Sequence, residues 1–269
     1  VIGGAYVKWA NISDLSALSS CPNLEYLNLA GCGVSNISPL STLMNLKELY
    51  LEYNWLISDV SPLSGLISLE QLDLYGNCIT DLSLSSLPNL QSLKLRENQI
   101  SHISELSGLP SLQYLLLSGN QLTDVSWLSD ISSLLDLELN NNHITDIAGL
   151  SSFTIGDHLG LDSNQITDIS ALSNLSFVPS HYPTIALSYN NISDIKSLVD
   201  NANISTGDWV HLSCNPLSPV SIGTYIPALQ DRGVGVSFTE LPSVPTLLTP
   251  ENESIILTLT PTLTWGYQE

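Results

Sequence analysis

Residues Leu112–Ser133 read LQYLLLSGNQLTDVSWLSDISS, and this pattern of 22 residues decides the fold because it returns along most of the chain. Its most regular feature is an asparagine that follows a leucine by three residues. These asparagines, spaced 21 to 26 residues apart, are Asn54, Asn77, Asn98, Asn120, Asn142, Asn164, Asn190 and Asn215. Cys32 takes the same position one repeat earlier. Self-similarity at a nearly fixed period is the signature of a solenoid, in which each repeat packs on its neighbours.

Each repeat contains a short LxL step, such as Leu137 and Leu139. Alternation with a period of two predicts a short strand with inward-facing leucines, and strands at a constant interval stack as a parallel sheet. The return segments are short and contain Pro39 and Pro62, which favour 3₁₀ turns or irregular backbone over long helices. We therefore expect an α/β solenoid with a parallel sheet on one side and short return segments on the other.

Two polar positions of the repeat have predicted structural roles. The asparagine lies where the chain leaves the strand, so its amide can satisfy backbone groups of neighbouring turns, and Cys32 is a small apolar replacement that needs no partner there. About four residues later, a polar side chain can cap the next short turn. This second position is held by Asp14, Asn36, Asp59, Asp81, His102, Asp124, Asp146, Asp168 and Asp194. A row of carboxylates could also suggest calcium, but capping explains it and no DxDxDG loop is present.

The repeat consensus LxxLxLxxNxIxDIsxLsxLxx closely resembles that of the internalin-like bacterial leucine-rich repeat proteins over roughly residues 6–238. The resemblance implies a horseshoe with a concave parallel sheet and a C-terminal cap of one helix and one strand. We predict leucine-rich repeats over 1–217, about nine full turns after a partial one, and the cap over 218–238. Within the cap, the sequence predicts a helix from Val220 to Asp231 and a strand at Val234–Phe238.

The sequence after the cap changes in character. Residues 239–246 contain two prolines and are predicted to be a linker. Residues 247–269 resemble the first strands of bacterial surface immunoglobulin-like or fibronectin type III-like domains, and they are too few to close a sandwich. The chain also starts without a methionine, so we expect it to be a fragment whose signal peptide and anchor would lie elsewhere.

Composition excludes some classes of partner. Six basic residues against 26 acidic ones give a formal charge of −20, which repels phosphate backbones and argues against nucleic-acid binding. The same charge keeps a leucine-rich chain soluble or attracts a basic partner. No apolar run approaches the length of a transmembrane helix, so no membrane insertion is expected within this chain. The positions of the four cysteines do not suggest a disulfide framework. Separately, we expect the chain to be a monomer.

A search for catalytic motifs finds none. The chain contains no GxSxG elbow, HExxH, CxxC or glycine-lysine phosphate loop, so an enzyme and a cofactor are not expected. The five histidines are scattered at His102, His143, His158, His181 and His211. None has a cysteine or carboxylate partner at metal-ligand spacing in the sequence, so we predict no metal site.

The surface left for function is the concave face, formed by residues that flank the inward leucines. We predict ligand contacts from Tyr26, Glu48, Tyr50, Glu52, Tyr53, Asp73, Tyr75, Lys94, Arg96, Tyr114, Asp136, Glu138, His158 and Asp162. Tyr50 and Tyr75 are expected to stand side by side, with Tyr26 and Tyr53 close. Lys94 and Arg96 should form a basic spot between acidic groups. Aromatic residues ringed by charge are typical of a protein-binding hot spot, although such residues also suit any solvated strand.

The internalin resemblance implies adhesion-like recognition. The main hypothesis is a non-enzymatic, extracellular or cell-surface bacterial protein that binds a protein or a glycan on its concave face. Two alternatives remain open: an intracellular scaffold, like the eukaryotic phosphatase-regulating proteins of the same repeat class, and a structural spacer of a surface protein. The start of a second surface-type module favours the main hypothesis.

Overall fold

The computed structural model describes residues 3–6 and 11–239, apart from 13, 83, 85, 104, 105, 132 and 180. Most of the predicted linker and the whole predicted immunoglobulin-like or fibronectin-like segment at 247–269 lie outside the described residues. Within the part that is described, no helix is both long enough and apolar enough to cross a membrane.

The strands of this part form one parallel sheet. They are β1 (Gly3–Tyr6), β2 (Leu24–Asn28), β3 (Glu48–Tyr50), β4 (Gln71–Asp73), β5 (Ser92–Lys94), β6 (Tyr114–Leu116), β7 (Ser133–Glu138), β8 (Thr154–Gly160), β9 (Ser176–Phe177), β10 (Thr184–Ala186), β11 (Trp209–His211) and β12 (Gly235–Ser237). Their order in the sheet follows the sequence, except that β9 pairs with β8 beside the main path. The predicted solenoid is therefore confirmed.

The strand register places one apolar residue of each repeat directly beside the next. The aligned series is Leu27, Leu49, Leu72, Leu93, Leu115, Leu137, Leu159, Ile185 and Val210. Each member of this series is at most 1% exposed. Burying one such side chain contributes roughly 1.5–3 kcal/mol of transfer free energy. The stacked leucines thus provide a continuous core that runs through all the turns.

The return segments are short helices, as predicted. Six are 3₁₀ helices, at Ser16–Ser20, Ser38–Thr42, Ser61–Leu63, Ser126–Asp130, Ala148–Leu150 and Ser170–Asn174, and the next is a short α-helix, α1 (Lys196–Asp200). Pro39 and Pro62 each lie in the first turn of a 3₁₀ helix, where a missing backbone N–H costs nothing. Leu40, Leu63, Leu150 and Leu172 of these helices are fully buried and close the core from the convex side, and Leu18 is partly buried there.

The repeat asparagines join consecutive turns through their side-chain amides. Asn142 Nδ2 donates to the carbonyl of Leu139 in its own turn at 3.0 Å and to that of Leu117 in the preceding turn at 3.1 Å. Its Oδ1 accepts the Leu122 N–H at 3.0 Å. The same set of bonds is made by Asn54, Asn98, Asn120, Asn164, Asn190 and Asn215. The predicted role of this position is confirmed.

Asn77 departs from this pattern because the turn before it contains one extra residue. Its Nδ2 donates to the carbonyls of Leu51 and Leu74, but its buried Oδ1 accepts no hydrogen bond from the described residues. The extra residue places Trp55 at a positive φ of 55°. The Leu56 N–H then donates to the Asn54 carbonyl at 2.6 Å, within its own turn.

Cys32 has partners, contrary to the expectation that it needs none. Its thiol donates to the Ala30 carbonyl across 3.5 Å, and its N–H donates to Asn54 Oδ1 at 3.1 Å. A cysteine at this position thus still donates one side-chain hydrogen bond, to a carbonyl of its own turn. Cys21, Cys32, Cys78 and Cys214 form no disulfide with one another.

The polar residue before each short helix accepts a hydrogen bond from the helix N-terminus. Asp124 Oδ1 accepts the Ser126 N–H at 3.0 Å and the Ser126 hydroxyl at 2.6 Å, and these bonds lower the Asp124 pKa. The same backbone bond is made by Asp14, Asn36, Asp59, Asp146, Asp168 and Asp194. These residues lie one position ahead of the N-cap residue, which is Val125 in this repeat. Asp81 and His102, at the same repeat position, form an isolated parallel bridge with each other, as Asp124 and Asp146 do.

The predicted C-terminal cap is present with one local difference. The helix begins as a π-helical turn, Ser221–Tyr225, and continues as α2 (Ile226–Asp231). Gly233, at φ +86°, ends the helix and allows the chain to turn into β12, which pairs with β11. The described sheet therefore ends on a short strand with a helix beside it.

Arg232 connects the C-terminal cap to the backbone around the end of α1 through hydrogen bonds. Its guanidinium donates to the carbonyls of Val199, Asn201 and Ile204 at 2.7 to 3.1 Å. These carbonyls lie at and just after the C-terminus of α1, where helical carbonyls lack intrahelical partners. Arg232 thus satisfies backbone groups that the end of the solenoid would otherwise leave open.

We predict that Asn142→Ala lowers the free energy of unfolding by about 1–3 kcal/mol, because three buried backbone groups lose their partner. Asn77→Ala should lower it by roughly 1 kcal/mol less, since its Oδ1 accepts no bond. Urea unfolding followed by circular dichroism measures both losses. His143→Ala is the control, because His143 is the next residue in the chain and its side chain is exposed. This variant should change the free energy of unfolding little. Equal losses for the two asparagine variants would contradict this account.

We predict that Asp124→Asn keeps the helix-capping bond, because Asn36 makes that bond in its own repeat. Asp124→Ala should lower the free energy of unfolding by about 1 kcal/mol. The Asp124 pKa is lowered below 3.8 in the folded chain, so the carboxylate's contribution is present above that pH and is lost as pH falls through the folded pKa. Any stability advantage of wild type over Asp124→Asn should therefore shrink between pH 5 and pH 2. An advantage that grows with acidification would contradict the assignment.

Candidate ligand-binding surface

The predicted contact residues occupy two zones of the concave side. Tyr26, Glu48, Tyr50, Asp73, Lys94, Tyr114, Asp136, Glu138 and His158 lie on strands, whereas Glu52, Tyr53, Tyr75, Arg96 and Asp162 lie two or three residues past a strand end. All are partly exposed, and none points into the core. The second zone is therefore the edge of the sheet at which the chain turns toward the convex side, and not the sheet itself.

The tyrosines form two separate pairs, so the expectation that Tyr50 and Tyr75 stand side by side is wrong. The register aligns Tyr50 with Asp73, because each lies four residues before its repeat asparagine. Tyr50 instead contacts Tyr26, with ring centroids 5.5 Å apart. Tyr75 contacts Tyr53 edge to face, with ring centroids 4.8 Å apart.

Tyr50 is held by polar contacts on the strand surface. Its hydroxyl donates to Glu48 Oε2 at 2.9 Å and lies 3.2 Å from Gln71 Oε1. Burial, followed by the hydrogen bond to Glu48, raises the pKa of the Tyr50 hydroxyl well above its usual range. The ring is thus a neutral, oriented part of the surface, with its hydroxyl already occupied.

The one-residue insertion exposes two apolar side chains that the sequence analysis did not single out. Trp55 is 58% exposed and Leu56 is 64% exposed. The Trp55 ring lies 5.6 Å from the Tyr53 ring, so it extends the second tyrosine pair. We call Tyr53, Trp55, Leu56 and Tyr75 the aromatic patch. The signal was available in the sequence, since the spacing from Asn54 to Asn77 is one residue longer than 22.

The two basic residues near the sheet centre are both paired with acids. Lys94 Nζ lies 3.3 Å from Asp73 Oδ2 on the adjacent strand. Arg96 makes a bidentate pair with Glu138, with Nε donating to Oε2 at 2.6 Å and an Nη2 contact to Oε1. This pair spans β6, where Leu116 is buried. The predicted basic spot between acidic groups is thus present, but its charges are neutralised within the protein.

His158 and His181 have carboxylate neighbours, contrary to the expectation from sequence spacing. Ligand atoms of Asp136, Glu138 and His158 all lie within 4.8 Å of one another. Burial raises the pKa of the Asp136 carboxyl. Elsewhere, His181 Nδ1 lies 2.5 Å from Asp157 Oδ1. Strand pairing brings Asp136 beside His158, whereas His181 reaches Asp157 from the segment between β9 and β10.

Comparison with known proteins shows which protein family the repeats of this chain match. Residues 20–37 and 79–122 match the family described as Leucine rich repeat, and residues 45–86 and 110–152 match Leucine Rich repeats (2 copies). An internalin (inlF) from Listeria monocytogenes is 30% identical, with a TM-score of 0.73 over 87% of this chain and 68% of that one. The chain therefore belongs to the leucine-rich repeat proteins. Within that class, it is similar in sequence and structure to the internalins.

Two more distant structures share the fold. A leucine-rich repeat protein of Leptospira interrogans is 22% identical over 86% of this chain and 72% of its own, with a TM-score of 0.52. The ectodomain of the Arabidopsis thaliana receptor kinase GASSHO1/SCHENGEN3 is 21% identical over 83% of this chain and 28% of its own, with a TM-score of 0.61. No curated protein matches the chain.

We predict that Arg96 and Glu138 are energetically coupled. A double-mutant cycle with Arg96→Met and Glu138→Gln should give a coupling energy of about 1 kcal/mol, because the pair is bidentate and partly shielded from water. The exposed pair Lys47–Glu25 makes a single contact at 2.8 Å and should give less than about 0.5 kcal/mol in the same measurement. Equal coupling in the two cycles would show that the bidentate geometry adds nothing.

Proposed function

We propose that this chain is the recognition region of a secreted or surface-exposed bacterial protein, and that it binds another protein without catalysing a reaction. Membership of the leucine-rich repeat class and similarity to an internalin support this proposal. The observation that carries it is the aromatic patch beside the concave face. A glycan is the second class of ligand that such a surface would accept.

The aromatic patch has the physical properties of a binding hot spot. Trp55 and Leu56 project from a turn that the regular repeat does not contain, and both remain mostly exposed. Exposed apolar side chains add nothing to the core, and a contiguous group of them indicates a surface that is covered in use. Tyr53 and Tyr75 pack edge to face beside Trp55, so the rings are already ordered before a ligand arrives. A pre-ordered surface reduces the entropy lost on binding.

The charge around the patch indicates the kind of partner. Glu52 precedes Tyr53, Asp73 precedes Tyr75, and the strand beside them carries Glu48. Lys94 and Arg96 follow the patch in sequence and Lys47 precedes it, and all three are paired with carboxylates. A partner that places apolar or aromatic groups on Trp55 and basic groups at the rim would be complementary in shape and in charge.

The test is a binding screen with a matched pair of variants. Purified chain is applied to an array of extracellular protein domains and, in parallel, to a glycan array. We expect a protein ligand whose affinity falls at least about 30-fold for Trp55→Ala or Tyr53→Ala, since a hot-spot side chain contributes about 2 kcal/mol or more. Tyr189→Ala is the control, because Tyr189 occupies the same repeat position as Tyr53, with φ 57° against 59°, and is also exposed.

Three outcomes contradict the proposal. These are a complete absence of binders, equal binding by wild type and Trp55→Ala, and equal loss with Tyr189→Ala. Melting temperatures of all variants are measured alongside, and Trp55→Ala should melt within a few degrees of wild type because the side chain lies outside the core.

A further inference from the structure

We infer that Asp136, Glu138 and His158 form a binding site for one divalent transition-metal ion of the zinc class. The three residues are brought together by strand pairing. Asp136 and His158 are direct neighbours across β7 and β8, and Glu138 lies two residues after Asp136 on the same face of β7. One ligand atom from each residue lies within 4.8 Å of the other two.

The Asp136 carboxylate supplies an observation that is independent of this clustering. Its Oδ1 is shielded from solvent and has no hydrogen-bond partner among the residues that the structure describes. A buried carboxylate oxygen normally has a donor or a cation beside it, because its desolvation is otherwise uncompensated. A metal ion held between Asp136 and His158 would provide that missing partner.

A glycine leaves the space that the imidazole occupies. Gly160 is paired with Glu138 across the two strands. A Cβ atom at position 160 would lie 2.7 Å from Asn140 Nδ2 and 2.9 Å from His158 Nε2, closer than side chains tolerate. The histidine ring therefore lies over this residue, on the side of β8 that adjoins Glu138. A larger residue at 160 would have to displace the Asn140 amide or the His158 ring.

Hydrogen bonds from Arg96 and Ser118 orient Glu138, the third ligand. Glu138 accepts hydrogen bonds from Arg96, with Nε at 2.6 Å, and from the Ser118 hydroxyl at 3.2 Å. Groups of this kind orient metal-binding carboxylates and tune their affinity. With a neutral imidazole, two carboxylates and one guanidinium, the cluster has a net charge of −1, and the whole chain has a formal charge of −20. A divalent cation is thus attracted to the site by both local and overall charge.

The chemistry of the ligands selects the class of metal. One imidazole nitrogen and two carboxylates suit zinc and its neighbours, whereas calcium and magnesium prefer sites built entirely from oxygen. In a zinc site, ligand atoms about 2.0–2.2 Å from the ion lie roughly 3.3 Å apart, so the three side chains would have to approach one another by up to about 1.5 Å. Three protein ligands leave a fourth position open to water or to a group of a bound partner.

The test uses the whole chain, freed of metal by a chelator, and zinc chloride as the probe. Isothermal titration at pH 7.5 should show one zinc ion per chain with a Kd below about 10 µM. His158→Gln and Asp136→Asn should each weaken binding at least about 10-fold, and zinc should raise the melting temperature of wild type but not of either variant. Melting curves without zinc establish that both variants fold.

Matched controls separate this site from adventitious histidine binding. His211→Gln removes a histidine from the same face of the sheet, on β11, and His181→Gln removes the other histidine that contacts a carboxylate. Both should bind zinc as wild type does. Calcium at a 100-fold excess over zinc should not displace it. A Kd above about 100 µM, unchanged binding by His158→Gln, or loss of binding with His181→Gln would each overturn the inference.

Discussion

The side-chain amide of the repeat asparagine is the interaction on which the rest of the structure depends. Each strand is only a few residues long, and the chain must leave it through a turn whose backbone groups no sheet can pair. The asparagine satisfies carbonyls of two consecutive turns and an N–H of the earlier one, as Asn142 does with Leu139, Leu117 and Leu122. Because these bonds connect neighbours, each turn is fixed in register on the previous one. That register then stacks the leucines and aligns the side chains of the concave face.

The candidate binding surface occurs where this regularity is broken. One extra residue after Asn54 removes the acceptor bond of Asn77 Oδ1 and turns Trp55 and Leu56 outward. The lost hydrogen bond and the exposed apolar surface both lower the stability of this turn. The packing of the other turns compensates for that loss. The same register that permits this irregularity also brings Asp136 and His158 together on neighbouring strands. The regular repeat thus provides a rigid scaffold, and particular turns of it carry the candidate binding residues.

The sequence was sufficient for the fold because a 22-residue period with fixed leucine and asparagine positions admits one arrangement of turns. It also predicted the 3₁₀ segments, the polar residue before each helix and the C-terminal helix. The errors concern neighbours in space. Tyr50 was expected beside Tyr75. Tyr50 and Asp73 each lie four residues before a repeat asparagine, however, and the strand register pairs these two residues. Asp136 lies 22 residues before His158 in the sequence, but the parallel sheet places the two side by side. The exposure of Trp55 depends on how a single extra residue is accommodated, which no periodic pattern specifies.

Amide hydrogen exchange tests the central claim most directly. The N–H groups of Ile79, Ile100, Leu122, Ile144, Ile166 and Ile192 each donate to an asparagine Oδ1 of the following turn. If these bonds join the turns, the six amides exchange as slowly as those of the strands, because they open only when turns separate. The turn before Asn77 lacks this bond, and the amide of Ile57 should exchange faster than the six. Rapid exchange of the six amides while the strands stay protected, or protection of Ile57 equal to theirs, would contradict the account.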